Sequence, residues 1–585
     1  MTSFRVEHLR LTKEEIRVWS DRDPQHKNWP AVYTLDNDAE IYVGESLNVA
    51  ARMRQHLAKA DKAHLTSLKV VLDSTFNKSA ALDLESFLIR LLAGDGKYAV
   101  LNRNEGITDS EYYDRAAYRS TFEAIFDALA SDGVFTRPIR QIVNDDLFKL
   151  SPFKALNGEQ SLAVEWILEG LFEDLDTRAT STGVIEGAPG TGKTVVAIYL
   201  MKLLRDIATS DDEEVTGDSV FSDFFTEGYR ERVRDLRIGL VVPQQSLRAS
   251  IKKVFRRTPG LDPAMVLTPF EVGADDEDYD LLVVDEAHRL NQRANQASGV
   301  LNAKFAAITT RLFGVDDVAR TQLDWVRAKS RHQLFLLDAA QSVRPADLPT
   351  RTVEQLVATS RQEKRHYQLM SQMRVSAGQD YIDYVRRLLG PTPPEPQTFD
   401  PYRLAMFDDL DTMHDVLRAH DEVEGLARLV AGYAWPWASK NDPSAVDICV
   451  DGRDLRWNQT ATDWITSPGA VDEVGSIHTV QGYDLNYAGV IIGPDLWYDT
   501  RVRRIRVDRD SYHDAKGKEN NPRLGIVYTD DDLLRFVSNI YGVLLTRGIL
   551  GTYVYVCDPD LRAHLSRFIA PWPPPEDSAA QPQAT

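Results

Sequence analysis

Apolar and polar positions along this chain follow two periods, and the switches between them mark out its elements. Residues 31–35 and 41–44 are short apolar runs split by the turn residues Asp36-Asn-Asp38, the pattern of a strand pair. A helix is expected at about 47–60 and a strand at 68–73. A second helix follows over 79–93, where Leu82, Leu84, Phe87, Leu88, Leu91 and Leu92 recur at helical spacing. Residues 110–150 read as helical, and Asn157-Gly-Glu-Gln160 opens another helix. From 182 onward, strand and helix patterns alternate, as in a parallel sheet covered on both faces. The clearest strands are 238–242, 281–285, 334–337, 447–450, 489–492 and 553–557. Two long insertions interrupt them, near 205–236 and 289–330, and loops of that length are often functional. Pro391-Thr-Pro-Pro-Glu-Pro396 breaks the second half, and the Pro-rich stretch from Pro571 reads as a disordered tail.

Composition narrows the class. At 585 residues, 43% hydrophobic and 27% charged, the chain predicts a soluble globular protein of several domains. No apolar run of about 18 residues suggests a membrane span, and the first residues lack a signal-peptide core, so a cytoplasmic location is expected. The two cysteines, Cys449 and Cys557, lie in apolar strand-like runs and read as buried free thiols, with no zinc site. A net charge of −20 weighs against nucleic acid as a partner. That charge is unevenly placed. Residues 1–106 hold 15 Lys+Arg and 15 Asp+Glu, so the excess lies beyond them, partly in acidic runs such as Asp211-Asp-Glu-Glu214. A positive channel can still form locally.

The most specific chemistry is Gly187-Ala-Pro189-Gly190-Thr191-Gly192-Lys193-Thr194, between an apolar strand and a helix. Its glycines let backbone N–H groups curl around phosphate oxygens at a helix N-terminus. Lys193 is expected on the β- and γ-phosphates and the Thr194 hydroxyl on Mg²⁺. Downstream, Leu281-Leu-Val-Val-Asp285-Glu286-Ala287-His288 ends an apolar strand in two carboxylates. Asp285 is expected in the Mg²⁺ shell and Glu286 near the attacking water.

Four further segments follow in order: Leu336-Leu-Asp338-Ala-Ala-Gln341, Gln372-Met-Arg374, Ser476-Ile-His-Thr479-Val-Gln481-Gly482-Tyr-Asp484 and Thr546-Arg547. Each alone is weak, and either arginine taken singly reads equally well as a surface residue. Their order resembles superfamily 1 helicases, in the Schlafen-type variety of bacterial proteins, over about 150–565. The resemblance implies an α/β fold with two RecA-like parallel-sheet domains, at 151–360 and 361–570, sandwiching ATP. It implies that Lys193, Thr194, Asp285, Glu286 and Gln341 come from the first domain, and γ-phosphate arginines Arg374 and Arg547 from the second. Gln160 matches the glutamine that reads adenine, and Gln481 and Gly482 the segment linking nucleotide to strand. The Asp-Glu-Ala-His spelling is commoner in superfamily 2, while Asp338…Gln341 and Thr546-Arg547 favour superfamily 1. The segments Val242-Pro-Gln-Gln-Ser-Leu247 and Leu267-Thr-Pro-Phe270 fall where that family contacts the nucleic-acid strand. Phe270 suits base stacking and core packing equally.

In the N-terminal unit, Tyr33 and Tyr42 end short strands, and Arg52 and His56 share one helix face at i, i+4. Glu85 lies on the next helix. Two phenols, a guanidinium, an imidazole and one carboxylate form a phosphodiester-cleaving set. Glu85 would hold a hydrated Mg²⁺, Arg52 would stabilise the phosphorane, and a tyrosine or His56 would move a proton. The bland alternative is packing tyrosines with solvated charges. The spacing resembles GIY-YIG nucleases over about 30–105, with Tyr33 and Tyr42 as motif tyrosines and Ala31 in place of the first glycine. Glu85 and Asn102 fall in the family's order.

The expected architecture is a GIY-YIG-like domain at 1–106, a helical connector at 107–150, two RecA-like domains and a disordered tail at 571–585. The expected function is an ATP-dependent translocase or helicase fused to a metal-dependent endonuclease. It would act on nucleic acid, DNA rather than RNA, in foreign-DNA defence or DNA processing. The cofactors are ATP and Mg²⁺, and the residues leave open any oligomer or protein partner. One alternative is an NTP-dependent switch with a non-cleaving N-terminal module, and another an RNA-directed enzyme.

Overall fold

A computed structural model describes residues 4–58, 62–103, 112–154, 156–178, 180–210, 221–294, 296, 298–338, 344–372, 374–442, 444–460, 463–480 and 483–573. The chain forms two compact units. One comprises Met1–Ala179, Thr194–Gly239 and Ser250–Val266, the other Thr180–Lys193, Leu240–Ala249 and Leu267–Thr585.

The first unit holds a five-stranded sheet in the order Phe4–Arg10, Ser67–Asp73, Ala31–Asp36, Glu40–Ser46, Ala99–Val100. All pairings are antiparallel except the last. Strand alternation divides its apolar residues between two cores. Ala31, Tyr33, Leu35, Val70 and Leu72 face one core with Val49 and Met53 of the helix Val49–Ala58. Val32, Ile41, Val43 and Val71 face the other, with Leu84 and Leu88 of the helix Lys78–Asp95. That helix starts at Asn77, whose side chain accepts from the Ala80 N–H, and stops at Gly96, at φ 71. The stretch expected as a connector is built into this second core. Phe122, Ile125, Phe126 and Ile142 join Leu84 there, and Asp95 accepts from the Thr136 and Arg137 N–H groups. The strand Phe4–Arg10 and the helix Lys13–Ser20 were not predicted; the strand's partly exposed, charged face hides the two-residue period.

Two further sheets follow along the chain. One runs in the order His366–Leu369, Ser181–Gly187, Ser330–Leu337, Tyr279–Val284, Ile238–Val241, Val266–Leu267, parallel across its first four strands. The other runs Arg403–Met406, Gly548–Val556, Leu485–Ile492, Ala427–Ala431, Val474–Ser476, parallel throughout. Central strands such as Leu485–Ile492 are buried almost end to end, which explains their continuous apolar runs.

Four expectations need correcting. The strand expected at 447–450 is Ile448–Val450, and it pairs antiparallel with Arg453–Leu455 in a separate hairpin. Cys449 is exposed, because only Ile448 and Val450 of that short strand turn inward, and Cys557 is half-buried. The insertion at 289–330 is not a bare loop, since it carries the helices Gly299–Phe313 and Gln322–Ala328. Trp572, expected in a disordered tail, stacks on Phe407 at 5.2 Å and donates its backbone N–H to the Met406 carbonyl. Among the described residues, no helix is long and apolar enough to cross a membrane.

Candidate functional site

The strand Ser181–Gly187 delivers the phosphate-type loop, and the helix Lys193–Thr209 leaves it. Gly190 and Gly192 sit at φ +83 and +82, where a side chain would be strained. A Cβ on Gly187 would lie 2.5 Å from the Thr191 hydroxyl, so the loop's first turn also requires glycine. Thr191 Oγ1 donates to the Ala188 carbonyl at 3.0 Å. Lys193 is buried and folds back on the loop, Nζ donating to the Gly187 and Ala188 carbonyls at 2.7 and 3.0 Å.

The strand Tyr279–Val284 runs into fully buried Asp285 and then Glu286, at φ 49. The Glu286 N–H donates to Asp285 Oδ1 at 2.9 Å. Its carboxylate receives Arg289 Nε at 3.0 Å and lies 3.2 Å from His288 Nε2. Burial works to raise the Glu286 pKa, but His288, Arg289 and Lys193 together hold it well below the carboxylate range. His288 Nδ1 accepts from the Asp338 N–H at 3.4 Å, joining two of the ordered segments.

The remaining ordered segments converge on the same loop. Gln372 Nε2 donates to the Pro189 carbonyl at 2.6 Å, and its Oε1 accepts from the Arg374 N–H at 2.8 Å. The amide lies so close that a Cβ on Gly190 would meet its oxygen at 2.2 Å. Arg374 Nε donates to Asp484. Arg547 follows the helix Asp530–Leu545, and its Nη1 donates to the Tyr483 carbonyl at 3.1 Å. Its Nε is buried without a hydrogen-bond partner. Burial and the neighbouring Arg374 charge pull its pKa down to about 9, against the opposing pull of Asp484 and Glu286. Lys193, Glu286, Arg374 and Arg547 thus share one electrostatic neighbourhood. Asp484, Gln372 and Arg289 complete it; the first two stood inside the motif strings, but no sequence signal gave them partners.

The other expected residues have their own local settings. Gln160 caps its own helix, its Oε1 accepting from the Asn157 N–H at 3.2 Å. Thr194 is the second residue of the helix after the loop. Gln341, Gln481 and Gly482 lie outside the described residues. Thr479 is buried, donating to Asn458 Oδ1 at 2.8 Å. Phe270 packs at 5.6 Å from the Trp325 ring and 6.2 Å from Phe305, so core packing engages it.

In the first unit, the tyrosines, Arg52 and His56 come together. Tyr33 faces Gly44 across the hairpin, and its ring lies where a Cβ on Gly44 would be, 2.4 Å away. Only glycine lets the buried phenol cross the strand and reach His56 Nε2, 2.9 Å from its oxygen. The Tyr42 ring is 6.3 Å from Tyr33 and 5.5 Å from His56. Arg52, one turn before His56, donates from Nη1 to Gln55 Oε1 at 3.2 Å, and both phenols raise its pKa against its burial. Burial and Tyr42 push the Tyr33 pKa well up, Arg52 pulls against them, and the half-buried Glu85 adds to the rise. Asn102 pins the hairpin strand, accepting from the Val43 N–H at 3.0 Å and donating to its carbonyl at 2.8 Å.

Among the described residues, no group of three or more His, Cys, Asp or Glu gathers as a metal cage. A hydrated Mg²⁺ needs no such cage, since it takes one or two protein oxygens.

Comparison with known proteins agrees with the motor segments. The chain is 31% identical over 221 residues to Uncharacterized protein YPL245W of Saccharomyces cerevisiae, covering 34% of this chain and 48% of that protein. It therefore spans about half the length of that relative. A solved structure described as the structural basis for DNA unwinding at forked dsDNA by two coordinating Pif1 helicases covers 67% of this chain and 91% of its own, at 9% identity. Its TM-score of 0.26 is too low to carry an argument. The family model for the Schlafen group 3 DNA/RNA helicase domain matches residues 180–558. That span takes in every motor segment from the phosphate-type loop to Arg547, and the chain belongs to this helicase-domain family.

Proposed function

We propose that the protein is an ATP-driven nucleic-acid translocase or helicase joined to a metal-dependent endonuclease. The observation that carries the motor is the meeting of Lys193, Glu286, Arg374 and Arg547 around one glycine loop. Bound ATP with Mg²⁺ supplies the phosphoanhydride whose hydrolysis drives the motor. Lys193 exchanges its loop carbonyls for phosphate oxygens, while Thr194 and Asp285 hold the Mg²⁺. Glu286, ionised beside His288 and Arg289, orients the attacking water. Arg374 and Arg547 neutralise charge that develops on the γ-phosphoryl oxygens. Gln160 would read the base, Gln341 would act at the ATP with Glu286, and Gln481 and Gly482 would link nucleotide to the bound strand.

The nuclease reading rests on the Tyr33–His56–Tyr42–Arg52 cluster with Glu85 on the adjoining helix. The buried Tyr33 phenol and His56 form a proton path, Arg52 stabilises the pentavalent phosphate and Glu85 holds the metal. On this reading the nuclease lies within 1–106, with the helices Arg115–Ser131 and Ile139–Asn144 packed into its second core, and the motor domains are 151–360 and 361–570. The favoured substrate is DNA, with foreign-DNA defence or DNA processing as the role.

The test uses purified protein, Mg²⁺ and single- and double-stranded DNA. Cleavage is expected in the wild type, lost in Glu85→Ala with unchanged ATPase. ATP hydrolysis is expected to rise on adding DNA and to fall at least about 100-fold in Lys193→Ala. An ATPase indifferent to both DNA and RNA sinks the translocase reading and leaves a nucleotide switch. Stimulation and cleavage with RNA alone reassigns the substrate.

A further inference from the structure

A cavity of about 480 Å³ lies in the second unit, in the size range of small-molecule sites. Its walls come from the helices Gly378–Leu388 and Asp530–Leu545 and from the antiparallel hairpin Leu496–Asp499/Arg504–Val507. Pro189 of the phosphate-type loop touches its edge, but Gly187, Gly190, Gly192 and Lys193 do not line it. The cavity is therefore a neighbour of the phosphate seat and not the seat itself.

Its chemistry is two-sided. Ile382, Val385, Leu389, Leu534 and Val543 make an apolar floor. Five arginines, Arg386, Arg503, Arg504, Arg506 and Arg535, line it against one carboxylate, Asp531. Arg386 and Arg535 are already engaged, with Asp338 at 3.7 Å and Asp532 at 3.6 Å. Arg503, Arg504 and Arg506 have no acidic partner among the described residues. On a chain of net charge −20 this is a local excess of positive charge. Arg503 is also held at φ 52, a left-handed conformation that costs a non-glycine residue energy.

Two further features belong to the lining. Gly542 sits in mid-helix, where glycine is unfavourable, yet a Cβ there would meet nothing within 4 Å. The bare backbone leaves room for a flat group. His564 stacks on Tyr498 at 4.1 Å, and both line the cavity. Its Nδ1 is buried without a hydrogen-bond partner.

We propose that this cavity is a second nucleotide site, taking a nucleoside di- or triphosphate outside the catalytic loop. The base lies on the apolar floor over Gly542, beside the stacked His564 and Tyr498 rings, and the hairpin arginines bind the phosphates. The site does not depend on the motor reading, and Pro189 is the residue it shares with the phosphate-type loop.

Calorimetric titration of the full-length protein with ADP tests it. Wild type is expected to bind two equivalents, and Lys193→Ala to keep the one in the cavity. A doubly reversed variant, Arg504→Glu with Arg506→Glu, is expected to keep only the catalytic-loop site, with unchanged melting temperature. Should reversal disturb folding, Gly542→Leu fills open space on the floor without touching the arginines and is expected to weaken the second site at least tenfold. A single equivalent that vanishes in Lys193→Ala overturns the second site and leaves the motor reading intact. Loss of all ADP binding in the double reversal sinks the catalytic-loop assignment and not the cavity. Two equivalents unaffected by every cavity variant overturn the placement. So does unchanged ADP binding with weakened binding of a twelve-nucleotide single strand, which gives the arginines to the nucleic-acid path.

Discussion

Arg547 is buried beside a second guanidinium with its own Nε unpartnered, and a guanidinium keeps its charge even there. Phosphate oxygens arriving at this position would supply the missing negative charge. Arg547→Gln should therefore lower kcat for ATP hydrolysis about 100-fold. A phosphate-release assay reads this, and an unchanged kcat removes Arg547 from the γ-phosphate. Gly44 is the second decisive residue. In Gly44→Ala the new methyl lies 2.4 Å from the Tyr33 ring. The variant should lose about 1–3 kcal/mol in urea denaturation and its Tyr33–His56 contact. A variant of wild-type stability that still cuts DNA at the wild-type rate contradicts the role given to that hairpin.

Secondary structure elements were legible wherever one side of a strand or helix met a core. The hairpin at 31–46, the helix over 78–95 and the central strands Ser181–Gly187, Ile238–Val241, Tyr279–Val284, Ser330–Leu337, Leu485–Ile492 and Gly548–Val556 show openly as alternation, helical spacing or apolar runs. Where burial is shared among many small contacts, the sequence is mute. Trp572 looks like tail because its partner Phe407 lies far away in sequence, and Ile448–Val450 looks like a sheet strand because three apolar residues do not say what they pair with. At the site, the loop glycines, Asp285 and the arginines were visible as spelling. The Gln372 bridge from Pro189 to Arg374 and the Arg374–Asp484 pair were not, since they depend on tertiary contacts across long sequence gaps. Asp495 is the clearest unforeseen junction. It follows the strand Leu485–Ile492, accepts from Tyr541 Oη of the helix Asp530–Leu545 at 2.6 Å, and leaves its second oxygen buried and unpartnered. Burial raises its pKa to about 7. The native state therefore keeps a proton that the unfolded chain gives up near pH 4. Stability from this residue is complete at low pH and drains away as pH rises toward 7, by roughly 4 kcal/mol at most. Asp495→Asn should melt several degrees above wild type at pH 8 and show little of that advantage at pH 5. A melting difference that does not change with pH removes Asp495 as a titrating group.

At the scale of the whole chain, the proposed activities use separate residues, and this separation can be measured. The neutral first 106 residues carry the cutting cluster, while the acidic remainder carries the nucleotide loop. If the motor feeds nucleic acid to the cutter, a catalytic lesion in one should leave the other's chemistry standing but cut the link between them. Lys193→Ala should still cleave a short oligonucleotide, within about twofold of wild type, because a short substrate needs positioning and not transport. On a long substrate its ATP-dependent cleavage should fall to the rate seen without ATP. Glu85→Ala should do the converse, keeping DNA-stimulated hydrolysis while cutting nothing. Salt adds an independent check. Binding through phosphates releases counterions, so affinity for a single strand should fall steeply and log-linearly with salt despite the net charge of −20. Nucleotide binding to Lys193 should change far less over the same range, since its surroundings are buried and weakly screened. Long-substrate cleavage by Lys193→Ala that keeps full ATP dependence would mean that this loop does not power the cutter, and the fusion would then be two enzymes sharing a chain.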